Sequence, residues 1–291
     1  MNLSENDTQN SSNDSTSLML ITPLQNIAST CWLNTICQSI VCLHSSIPIQ
    51  QTIQEDVHQP LHQILVAFMQ SNAEQRTQVL FHLVRYLSQF YQIGLHHDVL
   101  EVFLFLIDKL ISEEEKLEMT KEEVNELEPS LQQWVKEQKY HCSRIYAQFY
   151  TQYMYTCSDG DMIWQSSCAF ILDDHPHMDH IRISSYFQQY LQSHKQQLSR
   201  PAPIMLFSLN NICKQTNKSI LWEFSLCFAN DTKYQLKSMI FHHGNEHGGH
   251  YTCIVRHSHQ CVLCDDMNIQ PISLGETCNT IPTLLIYEKE T

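Results

Sequence analysis

The chain has 291 residues, of which 43% are hydrophobic and 16% are charged, and its net charge is −14. That apolar share supports a large buried core and excludes a wholly disordered chain, while the acidic balance disfavours a nucleic-acid binder, which needs basic surfaces. Because no run of 18 apolar residues occurs, we expect no transmembrane helix. The twelve scattered cysteines favour reduced thiols and an intracellular location, in the cytoplasm, the nucleus or both.

The first half of the chain has a helical pattern. Residues 1–17 are rich in Asn, Ser, Asp and Thr and predict a disordered polar tail. From Thr30, a candidate N-cap, apolar residues recur at spacings of three and four and predict a helix. Further helices are predicted at Pro60–Ser71, Thr77–Tyr91 and Asp98–Ser112. The acidic run over residues 113–128, with eight acids and two lysines, predicts a solvated helix face.

The second half of the chain is rich in aromatic and β-branched residues, a composition typical of strands. We predict strands at Tyr146–Thr156, Met162–Leu172, Ile204–Leu209, Ile220–Phe228, Tyr234–Phe241, Tyr251–Arg256, Gln260–Cys264 and Thr283–Tyr287. A short helix is expected at Ser184–Ser193. Because helices come first and strands follow, the layout is α+β rather than an alternating parallel one.

A candidate nucleophile begins the first helix. Cys31 follows Thr30, and the free N–H groups and the positive dipole end of a helix favour thiolate there. A thiolate is the nucleophile that acyl transfer needs, and Asn26, just upstream, is placed to aim its amide at an oxyanion. The alternative is that Cys31 is a buried structural cysteine, as we expect for Cys37 and Cys42.

A candidate base lies in the segment 242–252, which holds three of the six glycines. Glycine between two strands allows backbone to approach a ligand closely and places His250 at the edge of a cleft, where it is suited to act as a general base. The four histidines at 242, 243, 247 and 250 also leave a metal site open as an alternative, although a matching second group of ligands is absent from their spacing.

A candidate carboxylate ends the next strand. A hairpin pairing brings Asp265 beside His250, where it fixes the imidazole tautomer and stabilises the imidazolium. The alternative is an ordinary pair of strand-end acids, Asp265 and Asp266, facing water. A small zinc site formed by His257, His259, Cys261 and Cys264 is a further alternative.

Together these segments resemble the ubiquitin-specific protease family of papain-like deubiquitinating enzymes. The family's Cys box is matched in register by Leu24, Asn26, Thr30, Cys31, Asn34 and Gln38. Its His box is matched by His242, Gly244, Gly249, His250 and Tyr251, followed by Asp265 and Asp266. A third box, Gln-Gln-Asp-Ala-x-Glu-Phe-Leu in the family, is represented from His96 to Phe103 and keeps Asp98 and Glu101.

The resemblance implies a role for each matched residue. Cys31 is then the nucleophile, His250 the base and Asp265 the residue that orients the base. Asn26 is implied as the oxyanion donor, and Asp266 as a support for it or a substitute for Asp265.

The same resemblance implies a site for the basic C-terminal tail of ubiquitin. Its residues are Asp98, Glu101, His247, Gly249 and Tyr251, and the acidic chain suits such a cationic partner. We attribute the glycine at position 249 to the close passage of that tail.

The resemblance also implies an architecture and a reaction. Residues 18–291 form a thumb–palm–fingers catalytic domain, with the thumb at about 24–139 and the fingers and palm at about 140–291. The chain is expected to be a cysteine protease that hydrolyses the bond after the last glycine of ubiquitin in conjugates, without a cofactor, a membrane or nucleic acid, and a monomer is compatible with this.

Three departures from the family pattern leave alternatives open. The fingers often carry two Cys-x-x-Cys zinc pairs, but here only Cys157 remains, so we predict zinc-free fingers and no metal. His96 and His97 replace two glutamines, which leaves open a SUMO-like or other ubiquitin-like modifier. Ala28 and Thr35 relax the Cys box, which leaves open an inactive module that binds ubiquitin.

Overall fold

The structure is a computed structural model of the chain. It describes residues 21–43, 60–114, 117–118, 120–126, 129–137, 141–156, 162–172, 180–213, 219–221, 223–228, 232–245, 248–257, 260–273, 277–278 and 280–290. The predicted polar tail, residues 1–17, lies outside these ranges.

Helices fill most of the described first half. They are α1 (Cys31–Cys42), α2 (Pro60–Gln70), α3 (Ala73–Leu87), α4 (Val99–Glu113), α5 (Lys121–Asn125), α6 (Pro129–Glu137) and α7 (Arg144–Phe149), with α8 (Ile183–Ser193) and α9 (Asn210–Cys213) further on. The periodic apolar residues predicted the first four with small shifts of their ends. Eleven of the twelve residues of α1 are buried, because this helix packs between the other helices and the sheet.

Strands dominate the second half. They are β1 (Leu117–Glu118), β2 (His141–Cys142), β3 (Thr151–Thr156), β4 (Met162–Ser167), β5 (Ala169–Ile171), β6 (His180–Ile181), β7 (Gln196–Arg200), β8 (Ile204–Ser208), β9 (Ser219–Leu221), β10 (Ser225–Cys227), β11 (Lys233–Asn245), β12 (Gly248–His257), β13 (Gln260–Asp265), β14 (Asn268–Ile272), β15 (Thr277–Cys278) and β16 (Leu284–Lys289). Eight of them form the main sheet in the order β14-β13-β12-β11-β16-β8-β5, with β10 paired to β11. All its pairings are antiparallel except β5 with β8.

The middle of the main sheet is buried on both faces, which explains the continuous apolar sequences of β8 and β16. All five residues of β8 are buried, and successive side chains point to opposite faces. Ile204 and Leu206 join the core shared with the helices, whereas Met205 and Phe207 join a second core that includes α8. Helix α1 therefore packs against one face of the main sheet.

The predicted strand Tyr146–Thr156 is wrong in its first part, where the structure has α7. The Oγ of Ser143 accepts a hydrogen bond from the N–H of Tyr146, at 2.9 Å. The carboxylate of Glu114 accepts hydrogen bonds from two further N–H groups of the first turn, at 2.9 and 3.1 Å. An acid distant in sequence thus caps the first turn of α7. The local β propensity of this segment gave no sign of that cap.

The acidic run over residues 113–128 is not one helix in its described part. It contains β1 and then α5, because Thr120 begins a new helix through a reciprocal capping box with Glu123. Strands β7 and β14 were not predicted, since their sequences lack a run of β-branched residues. Within the described ranges, none of the helices combines the length and the apolar character needed to cross a membrane.

Candidate active site

Cys31 is the first residue of α1 and is 1% exposed. Its helix packs on β12, where the backbone N–H of Tyr251 faces the thiol. Burial raises the pKa of the Cys31 thiol, and the charge of Asp266 raises it further, while nearby backbone N–H groups lower it. The sequence prediction that the helix terminus favours thiolate is therefore wrong for the free protein, because desolvation of the sulfur outweighs the local dipole.

The loop before Cys31 is held by its own polar side chains rather than by a helix cap. Thr30 occupies the N-cap position, but its side chain makes no capping hydrogen bond. Its Oγ1 instead accepts from the N–H of Ile27 at 2.9 Å, and its N–H donates to Oδ1 of Asn26 at 2.8 Å. Ala28 and Ser29 have positive φ values of 53° and 64°, a conformation that strains residues with a Cβ.

His250 lies near the start of β12, and Asp265 ends β13. These neighbouring antiparallel strands bring Nε2 of His250 within 2.6 Å of Oδ1 of Asp265. Both side chains are partly exposed. A hydrogen bond through Nε2 leaves Nδ1 as the ring nitrogen that is free of the carboxylate. The structure thus brings together the predicted base and its predicted orienting acid.

Asp266 occupies the first position of the two-residue turn between β13 and β14. Its carboxylate accepts from Nδ2 of Asn26 at 2.9 Å and from Nδ2 of Asn34 at 2.7 Å. Its carbonyl accepts from the N–H of Leu24 at 3.0 Å. Its φ of 50° is unusual for a residue with a side chain, so these three hydrogen bonds hold a strained turn against the loop that carries Asn26. Nε2 of His250 lies 3.9 Å from Asp266, beyond hydrogen-bond distance.

An open cavity of about 480 Å³ lies beside Tyr251. Its lining consists of polar and small residues: His96, His97, Asp98, Asn210, His242, Gly244, Asn245, Gly248, Tyr251 and Thr283. They come from the start of α4 and from one end of the main sheet. An extended peptide with polar contacts fits such a lining better than a compact apolar ligand does.

Asp98 lines this cavity, but both of its carboxylate oxygens already have protein partners. As the N-cap of α4, its Oδ1 accepts from the N–H groups of Leu100 and Glu101, at 2.8 and 3.2 Å. Its Oδ2 accepts from Nδ2 of Asn210 at 2.8 Å. The charge therefore faces the cavity while its position is fixed by the helix and by α9.

The other predicted tail-binding residues occupy different places. Tyr251 is buried and stacks on His242, with ring centroids 4.6 Å apart. Burial raises the pKa of Tyr251, and the nearby charges of Asp98 and of the Cys31 thiolate raise it further. Glu101 is exposed on the first turn of α4 and does not belong to the cavity lining. His247 lies outside the described residues.

Packing within the protein explains why residue 249 is a glycine. It pairs with Gly244 across the β11–β12 hairpin. A Cβ on Gly249 would lie 2.5 Å from Nε2 of His242 and 2.6 Å from the carbonyl oxygen of His243. Close packing of the two strands therefore requires glycine here, whereas the sequence reasoning invoked only the passage of a substrate tail.

The sequence prediction assigned no catalytic or tail-binding role to three residues of this region. Asn34, 3% exposed, ties the Asp266 turn to α1, and its place in the Cys box was the available signal. Asn210 fixes Asp98 from a short helix that no motif marks. His96 accepts a hydrogen bond from the N–H of Gly249 at 3.4 Å and so links the segment before α4 to β12.

One described group has the composition of a metal site. Ligand atoms of His250, Asp265 and Asp266 all lie within 4.8 Å of one another. The same atoms already serve the hydrogen bonds to the imidazole and to the two amides, which favours a catalytic role over a metal site. The alternative zinc site at Cys261 and Cys264 also needs His259, which lies outside the described residues, and the prediction of no metal stays a prediction.

The comparisons with known proteins agree with this geometry. The family profile described as ubiquitin carboxyl-terminal hydrolase matches residues 22–287. The chain belongs to this family, as the sequence predicted. It is 37% identical over 62 residues to ubiquitin carboxyl-terminal hydrolase 22 of Bos taurus, and 35% identical over 65 residues to ubiquitin carboxyl-terminal hydrolase 51 of Mus musculus. These matches span 21% and 22% of this chain, but only 12% and 10% of the two relatives.

Solved structures show the fold. A SAGA DUB module of Ubp8, Sgf11, Sus1 and Sgf73 bound to monoubiquitin matches with a TM-score of 0.70 and 15% identity, over 94% of this chain and 70% of that chain. A further structure of a SAGA Ubp8, Sgf11, Sus1 and Sgf73 DUB module matches with a TM-score of 0.66 and 16% identity, over 94% of this chain and 68% of that chain. The predicted α+β fold of the ubiquitin-specific proteases is thereby confirmed.

Proposed function

We propose that the protein is a thiol-dependent deubiquitinase that hydrolyses the bond after the C-terminal glycine of ubiquitin. The observation that carries the proposal is the 2.6 Å hydrogen bond that orients His250 through Asp265, on the strand that packs against Cys31. Family membership supplies the substrate class. The cavity beside Tyr251 is polar and carries the carboxylate of Asp98, which suits a basic tail ending in two glycines.

The proposed reaction begins when the substrate tail lies in this cavity. Nδ1 of His250 takes the thiol proton, and the Cys31 thiolate attacks the carbonyl carbon of the terminal glycine. Because burial raises the thiol pKa, the thiol needs a base to form the thiolate, and His250 has this role.

The tetrahedral intermediate needs donors for its oxyanion. Nδ2 of Asn26 has two hydrogens, one of which is held by Asp266, and the second is available to the oxyanion together with a backbone N–H near Cys31. His250 then protonates the leaving lysine amine, and a water deprotonated by His250 hydrolyses the thioester.

The predicted organisation and setting form part of the proposal. The helical region at about 24–139 acts as the thumb, and the sheet-rich region at about 140–291 as palm and fingers, which lack zinc. The partners are conjugates of ubiquitin inside the cell, without a membrane or nucleic acid, and a monomer is compatible with this function. The matches cover only 12% and 10% of the two relatives, so the proposal assigns none of their other partners or domains to this chain.

Hydrolysis of ubiquitin linked to a C-terminal fluorophore tests the proposal. We expect turnover under reducing conditions, its loss in the variant Cys31→Ala, and its persistence in Cys227→Ala, whose thiol is exposed on β10 in the second half of the chain. Turnover that survives Cys31→Ala would refute the assignment of the nucleophile.

A panel of ubiquitin, SUMO-like and other ubiquitin-like substrates separates the modifiers. Turnover of a different modifier alone would replace ubiquitin in the proposal. Tight binding of ubiquitin by the folded protein with no turnover would instead identify the inactive binding module.

A further inference from the structure

The order of strands in the main sheet separates two sides of the candidate active site. The cavity lies at one end of β8, β16, β11 and β12, where Asn210 follows β8, Thr283 precedes β16, and His242 and Tyr251 belong to β11 and β12. His250 lies next along the same end of the sheet, on β12. The turn between β13 and β14 lies beyond it, on the side away from the cavity. A substrate whose tail fills the cavity therefore has its leaving group on the side of that turn.

The turn carries an exposed apolar side chain on a fixed backbone. Met267, its second residue, is 62% exposed, which makes it the most exposed large hydrophobic residue in the described part of the chain. The preceding residue is pinned by hydrogen bonds to Leu24, Asn26 and Asn34. This apolar side chain lies on a fixed backbone two residues after Asp265, which orients His250, and is therefore placed to contact a ligand there.

The charges around Met267 limit which side chains of a ligand can bind next to it. Asp266 precedes it directly, and the side chain of Asp265 is 41% exposed. These carboxylates repel acidic residues and attract basic ones. The thioether of methionine adapts to apolar side chains and to the aliphatic stem of lysine.

We propose that Met267 is a specificity-determining residue that contacts the acceptor segment, the stretch of polypeptide carrying the modified lysine. It favours apolar or basic residues next to that lysine over acidic ones. The proposal rests on the proposed function and deepens it, because it assigns the leaving-group side of the same site.

The test uses ubiquitin joined through an isopeptide bond to short lysine peptides with either apolar or acidic neighbours. We expect the unsubstituted protein to cleave the apolar peptide with a kcat/KM about tenfold higher, the size of one buried apolar contact. In Met267→Ala this ratio falls, chiefly through KM for the apolar peptide, to the smaller preference that Asp265 and Asp266 impose by repelling acidic residues. Ubiquitin linked to a fluorophore, which lacks an acceptor segment, supplies the reference rate for each variant.

The control variant is Ile171→Ala, which removes a 49% exposed apolar side chain from β5 at the opposite edge of the sheet. We expect it to retain the preference. An unchanged ratio in Met267→Ala, or an equal loss for both peptides, would overturn the inference while leaving the proposed function intact. Absence of hydrolysis of every substrate by the unsubstituted protein would overturn the proposed function and this inference with it.

Discussion

Asp266 supports the candidate oxyanion donor and also acts on the candidate nucleophile, so one substitution gives two measurable effects. Its carboxylate holds the amides of Asn26 and Asn34, at 2.9 and 2.7 Å. Its charge contributes to the raised pKa of the Cys31 thiol, after the larger effect of burial. The variant Asp266→Asn keeps the shape of the side chain, removes the charge and leaves one acceptor oxygen for two amides.

The size of each effect follows from these contacts. A hydrogen bond to a charged group contributes about 1.5–3 kcal/mol, so we expect the free energy of unfolding to fall by about that amount. We expect Asn34 to retain the remaining oxygen, because its 2.7 Å hydrogen bond to Asp266 is shorter and more buried than that of Asn26. Its Nδ2 also donates to the carbonyl oxygens of Leu24 and Gln25, both at 3.3 Å. Asn26 then loses its anchor, although Thr30 still holds its Oδ1. We expect kcat to fall by about 10- to 100-fold, less than the roughly 10²- to 10³-fold effect of deleting an oxyanion donor.

The reactivity of the Cys31 thiol is expected to rise in Asp266→Asn, whereas kcat falls. Removing the negative charge of Asp266 stabilises thiolate, so the pKa of Cys31 falls and its alkylation by iodoacetamide shifts to lower pH. The assays are the pH dependence of alkylation in the free protein and the kcat for ubiquitin linked to a fluorophore. Asn268→Ala, an exposed substitution just after the turn, serves as the control for local disturbance.

A more reactive thiol combined with slower turnover is the expected result. If kcat is unchanged while alkylation shifts, the Asp266–Asn26 hydrogen bond does not support catalysis, and the oxyanion assignment is refuted. If Asn268→Ala lowers kcat equally, the effect belongs to the hairpin as a whole.

Three further predictions concern strain, crowding and buried thiols. Ala28→Gly relieves a positive φ of 53° and should raise the free energy of unfolding in urea by about 0.5–1 kcal/mol; a decrease contradicts this. Gly249→Ala forces a Cβ to 2.5 Å from His242, so kcat/KM should fall by about 10- to 100-fold, and wild-type kinetics would refute the crowding. Burial raises the pKa of the Cys37 thiol to about 12, above the unfolded thiol pKa of about 8.5. The protonated thiol therefore contributes fully to the free energy of unfolding below a pH of about 8.5, and this contribution is lost as the pH rises toward 12. Cys37→Ala should therefore lose less stability than the unsubstituted protein in alkaline urea titrations, and parallel losses would contradict the assignment.

Local pattern was sufficient for much of the site. The helix after Cys31 follows from apolar spacing, and the pairing of β12 with β13 follows from two adjacent apolar strands. Antiparallel strands joined by a short connection bring their ends together, and for this reason Asp265 was predicted beside His250 without any knowledge of the rest of the fold.

Contacts between distant segments were not predictable from such patterns. Asn210 and Asp98 meet although they are 112 positions apart, and Glu114, the residue that follows α4, caps the start of α7. The raised pKa of Cys31 has the same origin, because the sheet that buries the sulfur comes from the far end of the chain. A helix terminus is a local feature, whereas desolvation is set by tertiary packing.

Covalent trapping with ubiquitin that carries an electrophile in place of its C-terminal carboxylate tests the central claim most directly. The account predicts one adduct under reducing conditions, located by mass spectrometry on Cys31 and abolished by Cys31→Ala. Labelling should slow strongly in His250→Asn, because the thiol of the free protein is protonated and needs its base. An adduct on another cysteine, or no adduct on folded protein, would contradict the account.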